Sequence, residues 1–154
     1  MTYTTVVDVL LLLVRDDHVL LAQRDGTGYA DGQWNLPSGK LESGEDLISA
    51  LIRETREEIG LDLDRDTLRM VNAVHNLNPE GHARIGFVFT TDTWTGEPYN
   101  AEPHKCAKIA WYPLDMLPHA TVPYTAACVD LYRRGEVFGL NGWPTNGQAI
   151  SALM

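Results

Sequence analysis

Three carboxylates crowd one short stretch, "RETREEIGL", at Glu54, Glu57 and Glu58. If the stretch is helical, each side chain turns about 100° from the last, so the three share an arc of about 100°. Like charges at this spacing repel and destabilise a helix. A solvated face tolerates the crowding, whereas a bound cation removes it. Crowded carboxylates suit a hard divalent ion, Mg²⁺ first and Mn²⁺ second. Zinc is disfavoured, because the five histidines are scattered and none falls inside the stretch.

The helix that must carry these acids is predicted from about Ser43 to Ile59. Leu47, Ile48, Leu51, Ile52, Thr55 and Ile59 recur at the spacing of one buried face. Leu47 lies between Glu54 and Glu58 around the helix, which puts the acids at the rim of the core. Partial desolvation and mutual repulsion there would raise their pKa values. Arg53 reaches Glu57 across one turn, but one arginine cannot balance three acids. Ser43 and Asp46 resemble a capping box, and Gly60 is a natural stop.

Around the helix the pattern is mostly β. "VVDVLLLLV" and "HVLLAQR" read as two strands joined by the polar turn "RDDH". "DGTGYADGQW" is a loop, and "WNLPSG" is a short extended piece leading into the helix. "LRMVNAVHNL", "RIGFVFTTDTW" and "AKIAWYPL" are further strands, and "PYTAACVDLYRRG" is a second helix opened by Pro123 and closed by Gly135. The order of strands, helix, strands, helix predicts an α/β (α+β) sandwich, a mixed β-sheet packed between helices. A length of 154 residues fits a single domain over 1–154. The tail from about 136 has no assignment.

A net charge of −9 and the lack of a basic patch argue against a nucleic acid polymer as partner. An anionic ligand would need a bridging cation. The opening apolar run contains Asp8 and is shorter than the roughly 20 residues of a membrane span. No membrane association is expected. Two cysteines, Cys106 and Cys128, without metal-type spacing, favour a reducing, cytoplasmic setting.

Gly39, Glu45, Arg53, Glu54, Glu57, Glu58 and Gly60 fit the template G-x5-E-x7-R-E-U-x-E-E-x-G-U, where U is bulky and apolar. This stretch resembles the signature of the Nudix hydrolases, MutT-like members included. One position departs, since Thr55 fills the first apolar slot. Its methyl can still pack while its hydroxyl bonds back to a helical carbonyl. "EPHKCAKIAWYPLDMLP" is similar to the segment that follows the motif in many bacterial members, so the likeness runs from about Thr4 to Gly135.

The resemblance implies the Nudix fold and hydrolysis of a diphosphate linkage in a nucleoside diphosphate derivative. It makes Glu54, Glu57 and Glu58 metal ligands, joined by the Gly39 carbonyl. Glu54 is the leading general base, and Glu102 in "NAEPHK" is the alternative, as base or as a further ligand. Arg53 orients the glutamates, and Glu45 braces the loop–helix junction. The Trp34–Asn35 pair is similar to one found in members that act on oxidised purine nucleotides, where the Asn bonds the base. Against that, Trp34 as core and Asn35 as a strand turn is the plainer reading. Tyr29 and Asp31 could line the same mouth, and Arg24 and Lys40 could meet phosphates. Trp111 is read as packing, and Cys106 and Cys128 as structural.

The expected ligand is a small-molecule nucleotide, most simply a triphosphate, modified or not. Hydrolysis of ADP-ribose or a nucleotide sugar is the alternative within the same chemistry. A catalytically silent binding module is the alternative outside it, and the intact glutamate set argues against that. The chain is expected as a monomer or homodimer.

Overall fold

The run Val6–Val14 is apolar on both faces, and the fold uses both. In the computed structural model, which describes residues 1–144, the side chains of this run alternate between two cores. Val9, Leu11 and Leu13 pack with Leu20, Ala50, Leu51 and Ile59, on the side of the first helix. Leu10 and Leu12 pack with Val19, Leu21, Cys128 and Val129, on the side of the second. A strand covered on both faces needs no polar alternation. The predicted mixed sheet between helices is therefore borne out, though the strands divide into two sheets.

The expected single opening strand is broken. It forms β1 (Val6–Leu11) and β2 (Val14–Arg15), with Leu12 and Leu13 crossing between sheets. β3 spans His18–Arg24, β4 Trp34–Asn35 and β5 Ser38–Lys40. The first helix, α1, is Leu47–Ile59. β6 (Arg69–Leu77), β7 (Ala83–Thr90) and β8 (Cys106–Pro113) follow, then α2 (Pro123–Arg134) and β9 (Phe138–Asn141). One sheet runs β5-β1-β7-β6-β9, with β1 parallel to β7 and antiparallel to β5. In the other, β3 pairs with β8 along its length and with β2 and β4.

Two boundaries differ from expectation. α1 begins at Leu47, and its N-cap is Asp46, whose side chain accepts from Ser49 N at 2.8 Å. Gly44 has φ of 86°, which a right-handed helix excludes, so Ser43 to Glu45 belong to the preceding loop and no Ser43–Asp46 box forms. The tail, left unassigned from about 136, supplies β9, which pairs parallel with β6. Residues 145–154 of that tail lie outside the described residues. Among the described residues, no helix is long and apolar enough to cross a membrane.

Asp8, the one charge inside the opening run, is 6% exposed. Arg84 donates to both of its oxygens at 2.6 and 2.7 Å, and Tyr124 Oη donates at 3.0 Å. β1, β7 and α2 are thus pinned at one point. Asp8→Ala leaves Arg84 without its counter-charge. The cost should be about 2–4 kcal/mol, below the full buried-pair penalty because 34% of the Arg84 side chain stays exposed. Denaturant unfolding checks this; an unchanged midpoint would show that the triad contributes nothing.

Candidate active site

The motif folds back on itself through one arginine. Arg53 donates Nε and Nη2 to Glu45 at 3.1 and 2.7 Å, and Nη1 to Glu54 at 2.8 Å. Glu57 stands farther off, 3.6 Å from Nη1. Glu45 also accepts from Glu42 N at 2.9 Å. The expected brace at the loop–helix junction is therefore present. Its bonds from Arg53, then from Glu42 N, hold the Glu45 carboxyl below the usual range. Glu45, bonded first, raises the already high pKa of Arg53.

Gly39 lies on β5 opposite Val9 of β1, directly beneath Glu54. A Cβ at Gly39 would overlap the Glu54 carboxyl group. Glycine here is a matter of space rather than backbone angle, since the carboxylate occupies the place a side chain would take. Thr55 fills its apolar slot at 1% exposure, so the departure from the motif is absorbed by the core.

The three acids of the motif do not share one environment. Glu57 is half-exposed at 52%. Glu54 is 16% exposed, and burial raises its pKa against the opposing pull of Arg53, with Glu57 and Glu102 adding repulsion. Glu58 is the deepest. Burial pushes its carboxyl up to about 8, although Ser38 N donates to Oε2 at 3.0 Å, and Glu54 and Glu102 raise it further. For both residues desolvation outweighs the like charges.

Glu58 opens on a cleft of about 530 Å³, a size suited to a small ligand. Glu102, Asn35 and Arg24 line the same cleft, so residues far apart in sequence converge there. Arg24 is partly committed, since Nε donates to the Tyr29 carbonyl at 2.8 Å and Nη2 to Thr27 Oγ1 at 3.2 Å. Asp31, expected at the mouth, knits its own loop instead. It accepts from Thr27 Oγ1 at 2.6 Å and from Gly28 N at 3.0 Å, and the Thr27 bond foremost lowers its pKa.

Two expected contacts fall outside the cleft. Tyr29 is 63% exposed on the loop that Asp31 ties down. Lys40 is exposed at the end of β5, and its carbonyl lies 3.4 Å from Arg53 Nη2. Neither side chain is among the cleft's lining. Trp34 is core, 5% exposed and edge-on to Tyr112 at 4.9 Å.

Gln23, His104 and Lys105 line the cleft but were not singled out from sequence. Gln23 was findable as the polar neighbour of Arg24 at the end of an apolar strand. His104 and Lys105 gave no such signal, because only the turn after Glu102 brings them round. Cys106 lines the cleft as well, and burial raises its thiol pKa. A protonated thiol is a poor nucleophile, which agrees with a structural reading.

Glu58 and Glu102 in the cleft, with Glu54 seated on Gly39 one helical turn away, form a carboxylate set that suits a hard cation bound by oxygen. Among the described residues, no three acidic, histidine or cysteine side chains are grouped closely enough to hold a metal ion. Arg53 holds Glu54, and Ser38 N holds Glu58.

The NUDIX domain, as a family model, matches residues 2–131. The chain is 36% identical over 83 residues to the 8-oxo-dGTP diphosphatase of Proteus vulgaris, covering 54% of this chain and 71% of that one. It is 30% identical over 117 residues to the oxidized purine nucleoside triphosphate hydrolase of Danio rerio, covering 75% and 71%. The crystal structure of a MutT NUDIX hydrolase from Burkholderia pseudomallei superposes with a TM-score of 0.75 at 28% identity, over 83% of this chain and 98% of that one. With this fold, this motif and these relatives, the chain belongs to the Nudix hydrolases, which cleave diphosphate linkages in small nucleotide substrates and generally use divalent metal ions.

Proposed function

We propose that the protein is a Mg²⁺-dependent pyrophosphohydrolase of nucleoside triphosphates, with oxidised purine nucleotides first among its substrates. The observation that carries the reading is the convergence of Glu58 from the motif and Glu102 from a distant loop in one cleft, with Glu54 seated on Gly39 beside them. Desolvation favours the protonated form of the Glu58 carboxyl, and a divalent ion can take the proton's place.

Glu54, Glu58 and Glu102, with the Gly39 carbonyl, form the proposed ligand set. Glu57 joins by turning away from Arg53. This proposed set is all oxygen, which favours Mg²⁺, with Mn²⁺ as a substitute. Held by these residues, a divalent ion would supply neutralisation of the pyrophosphate charge and activation of a water for attack on phosphorus. Arg53 holds Glu54 in place against Gly39. Arg24 presents positive charge to the anionic ligand. Asn35 offers a carboxamide to the base, and an amide can pair bidentately with a purine edge. The names of the two relatives in sequence support that substrate class. The free thiols Cys106 and Cys128 fit a reducing, cytoplasmic setting.

A phosphate-release screen with Mg²⁺ across ordinary and oxidised nucleoside triphosphates, ADP-ribose and nucleotide sugars tests the reading. Oxidised purine triphosphates should be turned over fastest, and Asn35→Ala should narrow their advantage over pyrimidines. Relative rates unchanged from the wild type would make Asn35 structural. Fastest release from ADP-ribose would overturn the substrate class.

Glu58→Gln should cut kcat by about 100-fold or more and weaken Mn²⁺ binding by a similar factor, measured by kinetics and titration. Wild-type values for both would remove Glu58 from the site.

Glu58 also sets a pH dependence. Its folded value of about 8 lies above the ordinary 4.5, so its stabilising contribution is complete below about 4.5 and is lost as pH rises through 8. Without divalent ions the Tm should therefore fall between about pH 5 and 8. Added Mg²⁺ should raise the Tm more at pH 8.5 than at pH 6, because the competing proton has left. Glu58→Gln should flatten both trends. A Mg²⁺ shift independent of pH would contradict the assignment.

A further inference from the structure

The segment from Thr91 to Lys105 carries Glu102 into the cleft and is tied down away from it. Glu97 accepts two bonds from Arg15 Nη1, at 2.8 and 3.0 Å. The same guanidinium lies 4.3 Å over the Trp111 ring, on which Trp94 stacks at 6.4 Å. Closer to Glu102, two backbone amides dock on the end of α1. Tyr99 N donates to the Ile59 carbonyl at 3.0 Å, and Ala101 N donates to the Glu58 carbonyl at 3.0 Å. A helix end leaves its last carbonyls without intrahelical partners, so the segment completes the helix that bears the glutamates.

The Tyr99 ring lies across Gly60 beside these bonds. Gly60 is left-handed, with φ of 69°, and a Cβ there would overlap the ring. The glycine is thus needed twice, once to end the helix and once to seat the tyrosine. From this seat the chain runs through Asn100, whose Oδ1 accepts from Glu102 N at 3.1 Å and whose Nδ2 donates to the Cys106 carbonyl at 2.7 Å. The path from Gly60 to Glu102 is short and bonded at each step.

We infer that Tyr99 is a positioning residue, whose ring, seated on Gly60, registers the Glu102 segment against the last turn of α1 and so sets Glu102 against Glu58. The inference rests on the proposed roles of Glu58 and Glu102. The ring packs on Gly60, the residue that follows the two accepting carbonyls, and without that contact the bonds at the helix end open more readily to water. Tyr99 is 59% exposed, so its loss removes a local contact and leaves the core intact.

The test is a double-mutant cycle joined to amide exchange. Tyr99→Ala should lower kcat about tenfold with KM within about twofold, because a misplaced group slows chemistry more than it weakens binding. Tyr99→Phe should restore the rate, since the seat needs the ring alone. In a Glu102→Gln background the Tyr99→Ala cost should vanish. Exchange at the Tyr99 and Ala101 amides should speed up in Tyr99→Ala while the interior amides of α1 stay protected. A cost that persists in the Glu102→Gln background, or a wild-type rate in Tyr99→Ala with Glu102→Gln impaired, overturns the inference. If Glu102→Gln is itself silent, the role of Glu102 fails, and unchanged exchange at Ala101 would then overturn the seat as well.

Discussion

A carboxylate stripped of water must gain a proton, a cation or a dense set of hydrogen bonds. Glu58 has one backbone N–H, from Ser38, and two acidic neighbours. The rest of the site is arranged about that imbalance. Arg53 satisfies Glu45 and Glu54 but lies at the far side of the helix turn from Glu58. Gly39 withholds a side chain so that the Glu54 carboxylate can lie against β5. Glu58 and Glu102 face the cleft, where the proposed ion would bind and the anionic substrate would follow it toward Arg24.

Such an arrangement requires a stiff frame. β1 is buried on both faces and hydrogen-bonded on both edges, to β5 and to β7. Its two rows of side chains key α1 to one side and α2 to the other. Gly39, against which Glu54 lies, and Ser38, whose N–H donates to Glu58, sit on β5 and take their register from Val9 and Leu10 of β1 respectively. A one-residue slip there would exchange the two faces of the strand and remove the cradle. The second sheet brings Asn35 and Arg24 to the cleft, and the β7–β8 connection brings Glu102.

The helical motif was legible because all its information is local. The period of Leu51, Thr55 and Ile59 and the stop at Gly60 lie within a few turns, and α1 ends where that pattern ends. Its start was misplaced because Ser43 and Asp46 both resemble caps, and only the left-handed Gly44 separates them. β9 was missed for the opposite reason. Four residues, "FGLN", carry no period, and their parallel partner β6 is remote in sequence. The split of the opening run at Leu12 and Leu13 was equally invisible, since both residues are as apolar and as buried as their neighbours.

Within the site, sequence alone determined which residue types are present and how the motif's acids are spaced, because a helix converts spacing into angle. It also indicated the family, through glycines and charges whose positions follow from helix and loop geometry. Only the tertiary structure decided that desolvation falls on Glu58 while Glu57 is half-exposed, that Asn35 and Glu102 share a cleft, and that Tyr29 and Lys40 do not. The reason is physical: burial and proximity depend on what packs against a side chain, and at this site the packing partners come from β5, β3 and a segment some forty residues downstream, which no local pattern encodes.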